Sequence, residues 1–213
     1  MGEIQSGSLD YDVDGRMRQV VGDEPKIGPL DPEDLDDEAR ALIQKLHAAL
    51  GITPESAARV DIPEYFTTLI KHPALFAAQL DMGATIFKGK IPPRERELAV
   101  LRIGYLCRAP YEWGEHVDIA KRYGITEQQV ERVTQGSAAP GWGELDQAIL
   151  RGVEELLGDQ AISDETWTVL ASHWNEPQLI EFPMLVGQYV ATAYMQNSLR
   201  MRLADDNPGL RYR

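Results

Sequence analysis

The sequence predicts an all-α protein built as one domain, and three observations carry that expectation. Beyond residue 35, apolar residues recur at three- and four-residue intervals through most of the chain. No stretch sustains the apolar–polar alternation of a strand, and β-branched clusters are scarce. The length of 213 residues, with 43% hydrophobic and 26% charged residues, suffices for one domain with a large core. No internal repeat of obvious period is present.

Residues 1–35 read as an irregular N-terminal arm. Gly2, Gly7, Gly15, Gly22, Gly28, Pro25, Pro29 and Pro32 interrupt any period there. Its first dozen residues are expected to be disordered. The segment K-I-G-P-L-D-P is expected to lie across the core in extended form, because Ile27 and Leu30 need cover. A helical domain then spans 36–204. Ala39, Leu42, Ile43, Leu46 and Leu50 line one helix face, and Gly51 stops that helix. A short helix covers Ile62–Lys71. Pro73 opens another, which carries Leu75, Phe76, Leu80, Gly83 and Ile86. Residues 93–107 and 110–123 form an αα-hairpin, with Pro110 in the first turn of its second helix and Gly124 after its end. Thr126 with Gln129 marks a capping box opening a helix to about Thr134. Residues 135–143 read as a loop. Glu144–Leu157 and the helix capped by Ser163 follow, the latter reaching about His173. A long last helix runs from about Gln178 to Leu203, and residues 205–213 form an irregular tail.

Charge narrows the partners. The chain carries 34 acidic against 21 basic residues, a net charge of −13, which repels nucleic acid and anionic membrane surfaces. No apolar run approaches the length of a membrane span, and the acidic start lacks the apolar stretch of a signal peptide. The single Cys107 excludes an internal disulfide. These features point to a cytoplasmic protein.

The chemistry concentrates between residues 94 and 116. Glu112 and His116 stand four apart on one helix and therefore share a face. A carboxylate beside an imidazole raises its pKa and fixes its tautomer, which makes a general acid/base pair. A surface ion pair has the same spacing, so spacing alone does not decide. Glu97 adds weight: the face through Glu97, Leu101 and Gly104 holds one carboxylate among apolar and small residues, and an ionisable group there has a partner or a shifted pKa. Gly104 permits close approach of a neighbouring helix or a ligand. The competing reading keeps Glu97 in a solvated R-E-R-E run with Arg94, Glu95 and Arg96. Helix rise places Glu97 roughly 15 Å and His116 roughly 9 Å from the hairpin turn, a mismatch of about one turn. Two carboxylates and an imidazole also suit a divalent metal, but the repeated Glu-x-x-His of di-iron bundles is absent. Tyr111 and Trp113 can wall a pocket or pack the core. Arg102 and Arg108 can meet a substrate carboxylate, with surface solvation as the competing role. His47 and His173 read as structural, and His72, just before Pro73, reads as a turn residue.

The run R-E-R-E-L-A-V-L-R-I-G-Y-L-C-R-A-P-Y-E-W-G-E-H resembles the signature of the carboxymuconolactone decarboxylase family, which includes the AhpD-type alkylhydroperoxidases. That signature sets a Glu, a C-x-x-C pair and a His after three intervening residues. Aligning His116 with the signature His puts Glu97 on the Glu, and the cysteine slots fall on Ala109 and Glu112. Cys107 lies two positions ahead of the first slot without a partner. L-V-G-Q-Y-V-A-T-A-Y-M-Q-N, residues 185–197, is similar to the family's last helix. The resemblance implies an AhpD-like helical bundle and assembly as a trimer or hexamer. It implies cofactor-free acid/base chemistry on a small lactone or organic acid, such as a decarboxylation. In that reading His116 moves the proton, Glu97 and Glu112 orient it, and Tyr111, Trp113, Tyr189, Arg102 and Cys107 are candidates for contact with substrate. The dithiol peroxidase cycle needs an attacking and a resolving thiol and is unavailable here. Two alternatives stand beside this reading: a redox protein using Cys107 with an external thiol, and a helical binding or assembly protein without turnover.

Overall fold

A computed structural model of the chain describes residues 11–22, 24–50, 52–53 and 62–213. The expected disorder of the first residues and the Gly51 helix stop lie outside the described residues. Among the described residues the regular structure is helical. The elements are α1 (Val13–Val20), α2 (Asp37–Leu50), α3 (Glu64–Leu69), α4 (Pro73–Phe87), α5 (Pro93–Leu106), α6 (Pro110–Arg122), α7 (Glu127–Gln135), α8 (Glu144–Gly158), α9 (Asp164–His173) and α10 (Glu176–Leu199). Short 3-10 turns at Pro32–Asp34 and Gly209–Arg211 complete it.

The bundle is organised around α5. Every residue from Arg96 to Tyr105 is buried, because α6, α7, α8 and α10 all pack against this one helix. Its partner α6 approaches at Gly104, where a Cβ would stand 3.4 Å from the Trp113 backbone nitrogen. The turn between them is a Schellman motif. The Ala109 N–H donates to the Gly104 carbonyl at 2.9 Å and the Arg108 N–H to the Tyr105 carbonyl at 3.0 Å. Arg108 occupies the left-handed position, φ +50°, that glycine usually fills. Prolines at the first turns of both helices fix the register with no loss of intrahelical bonds.

Two apolar clusters result. The larger surrounds α5 and includes Leu98, Leu101, Trp113, Ile149 and Phe182. The smaller joins α2, α3 and α4 through Ile43, Leu46, Leu69 and Phe76 and extends to Met201. The last helix α10 touches α4, α5 and α6 and so runs past both. The expected capping box of Thr126 with Gln129 is present, and a second one, Asn175 with Gln178, opens α10. That helix ends earlier than its periodicity predicts, at Leu199, because Arg200 turns into the left-handed region, φ +56°.

The N-terminal arm departs from expectation. Residues 13–20 are helical despite Gly15. Asp12 caps the helix by accepting from the Gly15 N–H at 2.8 Å, and Val13 and Met17 pack on the larger cluster. Tertiary packing overrides the weak local propensity. Further on, the Lys26 N–H donates to the Leu199 carbonyl at 2.7 Å and the Leu30 N–H to the Thr67 carbonyl at 2.8 Å. Leu30 joins the smaller cluster, whereas Ile27 remains exposed.

Candidate active site

A cavity of about 440 Å³ opens where the two apolar clusters meet. Its walls come from α2, α3, α4, α6 and α10 and are mostly apolar, with Leu46, Phe66, Phe76 and Ile86 among them. The volume is in the range of small-molecule sites. Polar groups gather on one side: Glu112, Glu115 and His116 from α6, and Gln188, Tyr189, Thr192 and Gln196 from α10. Beside them, Gln79 of α4 donates to the Tyr65 hydroxyl and to Thr192 Oγ1 at 3.3 Å.

His116 is clamped from behind. Its Nδ1 lies 2.6 Å from Glu97 Oε2, so with Glu97 ionised the shared proton sits on Nδ1. The other ring nitrogen, Nε2, lies 3.4 Å from Glu112 Oε1. The Tyr189 ring meets the imidazole edge-on, with centroids 5.2 Å apart. Glu97 itself is fully buried and does not line the cavity; it supports the histidine from the α5 side. The apparent one-turn mismatch closes in a direct hydrogen bond.

Arg96 completes this support. It is buried, and its Nε donates to Glu97 Oε1 at 2.9 Å. A second nitrogen donates to the Phe87 carbonyl at 2.6 Å, and the guanidinium stacks 4.3 Å over the Phe87 ring. The sequence reading left Arg96 on the surface. A signal was present: Val100 and Ile103, four and seven residues on, continue its face into the apolar part of the helix. Its neighbours follow the surface reading in part. Arg94 forms a bidentate pair with Asp146 at 2.7 Å, and Glu95 accepts from the Trp174 indole at 2.7 Å.

The electrostatics separate the two carboxylates. Burial pushes the Glu97 carboxyl up, but His116 and Arg96 push it down further, and the net is a lowered pKa. Burial pushes the His116 imidazolium down, and Glu97 followed by Glu112 overcomes this, leaving the pKa raised. These two results agree on an ionised Glu97 beside a charged His116. Glu112 behaves differently: burial drives its carboxyl up to about 7, and His116 and Gln196 only partly offset it. One ionised acid, one acid poised near neutrality and one charged imidazole thus share a site, an arrangement suited to moving a proton.

Tyr111 and Tyr189 line the cavity. Three other candidate contacts lie away from it. Trp113 is fully buried in the larger cluster, and its indole donates to the Tyr212 carbonyl at 2.9 Å. It turns inward because α6 presents Trp113 and Val117 to α5 and presents Glu112 and His116 to the cavity. Arg102 is neither solvated nor available to substrate. It is buried against Glu154, 2.9 Å away, and donates to the Val133 carbonyl at 2.8 Å. Cys107 sits in the hairpin turn outside the cavity lining, and burial pushes its thiol up to about 12. Arg108 is exposed at the same turn, with its guanidinium over the Tyr11 ring. Among the described residues, no group of three or more His, Cys, Asp and Glu has the geometry to hold a metal ion. In the Glu97, Glu112, His116 set, Glu97 Oε2 and His116 Nδ1 are spent on each other.

Residues 73–155 match the model of the Carboxymuconolactone decarboxylase family. No curated protein matches the chain. An uncharacterized peroxidase-related protein from Silicibacter sp. TM1040 has a similar structure, with TM-score 0.65, 15% identity, and 97% of this chain and 96% of that one covered. The alkylhydroperoxidase AhpD core of an uncharacterized peroxidase-related protein from Ralstonia eutropha JMP134 gives TM-score 0.66 at 17% identity, covering 84% and 94%. The debrominase Bmp8 in complex with 2,3,4-tribromopyrrole gives 0.64 at 17% identity, covering 85% and 92%. At these identities the structures speak for the fold, and the matched segment holds Glu97, Glu112 and His116. The chain holds one cysteine; over residues 73–155 it is similar to the Carboxymuconolactone decarboxylase family, and its fold is an AhpD-like helical bundle.

Proposed function

We propose that the chain is a cofactor-independent acid/base enzyme acting on a small lactone or organic acid, by decarboxylation or a related isomerisation. The observation that carries this reading is His116 in the wall of an apolar cavity with Glu97 2.6 Å behind it. In a decarboxylation the carbon–carboxylate bond breaks and its electron pair moves into the conjugated carbonyl, giving an enolate and carbon dioxide. His116 then gives its proton to the enolate carbon and regains one from solvent. Glu97 keeps the imidazole charged and oriented until that transfer. The apolar walls favour release of the carboxylate charge into a neutral product, because a dry site solvates an anion poorly.

A thiol route through Cys107 has little support, because its thiol stands outside the cavity and is held protonated. An exposed stripe on α10 (Ile180, Met184, Gly187, Ala191 and Tyr194) supports assembly as a trimer or hexamer, which light scattering reads directly.

The test is turnover of a panel of lactones and their carboxylated precursors, with carbon dioxide release followed. His116→Gln is expected to lower kcat by about 10²–10⁴, the usual contribution of a positioned acid or base. Cys107→Ser is expected to leave it unchanged. Loss of turnover in Cys107→Ser with retention in His116→Gln would overturn the assignment. A panel that yields no turnover from the wild type favours a binding protein on the same scaffold.

A further inference from the structure

Two buried acceptors in the cavity wall accept no hydrogen bond, although His116 Nε2 lies 3.4 Å from one of them, Glu112 Oε1. Glu112 is 3% exposed and Gln196 is 4% exposed. Both line the cavity, and Oε1 of each lacks a hydrogen bond. The two side chains adjoin, close enough for the Gln196 amide to draw the Glu112 carboxyl pKa down, and Gln196 Oε1 itself has no hydrogen bond. A buried acceptor left without a hydrogen bond is costly unless something donates to it. Other buried orphans, Thr68 Oγ1 and His47 Nε2, lie outside the cavity lining. The pair at Glu112 and Gln196 therefore marks one end of the cavity.

We infer that the natural ligand carries a hydroxyl or N–H donor and seats it on Glu112 Oε1 and Gln196 Oε1. The rest of the ligand lies along the apolar wall. A substrate carboxylate does not belong at this end, where it would meet two acceptor oxygens, with Glu115 also in the lining. Besides His116, which stands at this same end, the cationic group in the lining is Lys88, so a carboxylate sits toward Lys88. This inference rests on reading the cavity as the substrate site. It narrows the substrate from any small lactone or acid to one that is hydroxylated or bears an N–H. A donor at this end also lies beside His116 Nε2, 3.4 Å from Glu112 Oε1, which puts the ligand within reach of the proton.

The experiment measures binding in two matched pairs of probes: phenol against anisole, and 4-hydroxybenzoate against 4-methoxybenzoate. Methylation removes the donor and keeps the skeleton. Titration calorimetry or ligand-observed NMR on the full chain is expected to favour the hydroxyl member of a pair by about tenfold, the scale of one net hydrogen bond. Gln196→Leu, with folding checked by circular dichroism, is expected to erase that preference. Gln196→Glu keeps an acceptor in the same volume and is expected to retain it, which guards against a result caused by misfolding. The inference is overturned if the methyl ethers bind as well as the hydroxyl probes, if the preference survives Gln196→Leu, or if none of the four probes binds. Binding is read without turnover. A failure here leaves the His116 chemistry to its own assay, and a failure of that assay leaves the donor site standing.

Discussion

Glu97 and Glu112 are both buried carboxylates, yet their surroundings set opposite outcomes. Glu97 has a guanidinium and an imidazolium within hydrogen-bonding distance, so its charge is compensated. Glu112 Oε1 accepts no hydrogen bond and has only the His116 nitrogen 3.4 Å away, so burial outweighs the compensation. The consequence for stability follows from linkage. Between the ordinary carboxyl value of 4.5 and about 7, the folded state holds a proton that the unfolded state has lost. Stability therefore falls as pH rises through that interval. Glu112→Gln removes the penalty and is expected to stabilise the fold at pH 8, on the order of 2 kcal/mol, with little change at pH 4. Thermal melts at the two pH values check this; equal shifts at both would show that Glu112 is not held near neutrality by burial. Residue-scale features of this kind were partly legible. The 97–116 interval and the 112–116 spacing named the three groups that meet. The orphaned oxygen of Gln196 was not visible, because it depends on where α10 lies beside α6.

At the scale of elements, α5 explains most departures from the sequence reading. Its periodicity identifies a helix but not how many faces are covered. Because α6, α7, α8 and α10 all pack on it, charges that an ordinary amphipathic helix would send to solvent are buried. Arg96 then pairs with Glu97, and Arg102 with Glu154, 52 positions away. No local pattern pairs residues at that separation. Glu154 also accepts from the Ser137 N–H at 2.8 Å and from its hydroxyl at 2.6 Å. The Arg102 cluster thus ties α5, α8 and the loop after α7 together. Arg102→Met leaves Glu154 buried without its counter-charge and is expected to destabilise the fold by about 3–5 kcal/mol in denaturant unfolding. A cost below 1 kcal/mol would mean that the pair is solvated. The N-terminal helix α1 is another case in which packing decides, since its glycine-broken sequence has little helix tendency alone.

For the whole molecule, the all-α class and most helix ends were readable because caps, prolines and glycines mark them: Pro73, Pro93, Pro110, Thr126 and Ser163 all stand at helix starts. The cavity was not readable, because it arises between two apolar clusters assembled from distant segments. Among the described residues no helix is long and apolar enough to cross a membrane. The surface is acidic overall, with a net charge of −13, while the buried Arg96, Glu97 and His116 form a compensated chain inside it. That chain has a signature of its own. A histidine whose folded pKa is raised adds stability below its unfolded value, and that contribution is lost as pH rises through the folded one.

The most direct test is therefore an NMR titration of His116 in the wild type and in Glu97→Gln, with the ring nitrogens resolved. The account predicts that wild-type His116 titrates above the ordinary imidazole value of 6.5, keeps its proton on Nδ1 when neutral, and moves down in pKa when Glu97 loses its charge. A wild-type histidine that titrates at or below 6.5, and that does not respond to Glu97→Gln, would contradict it.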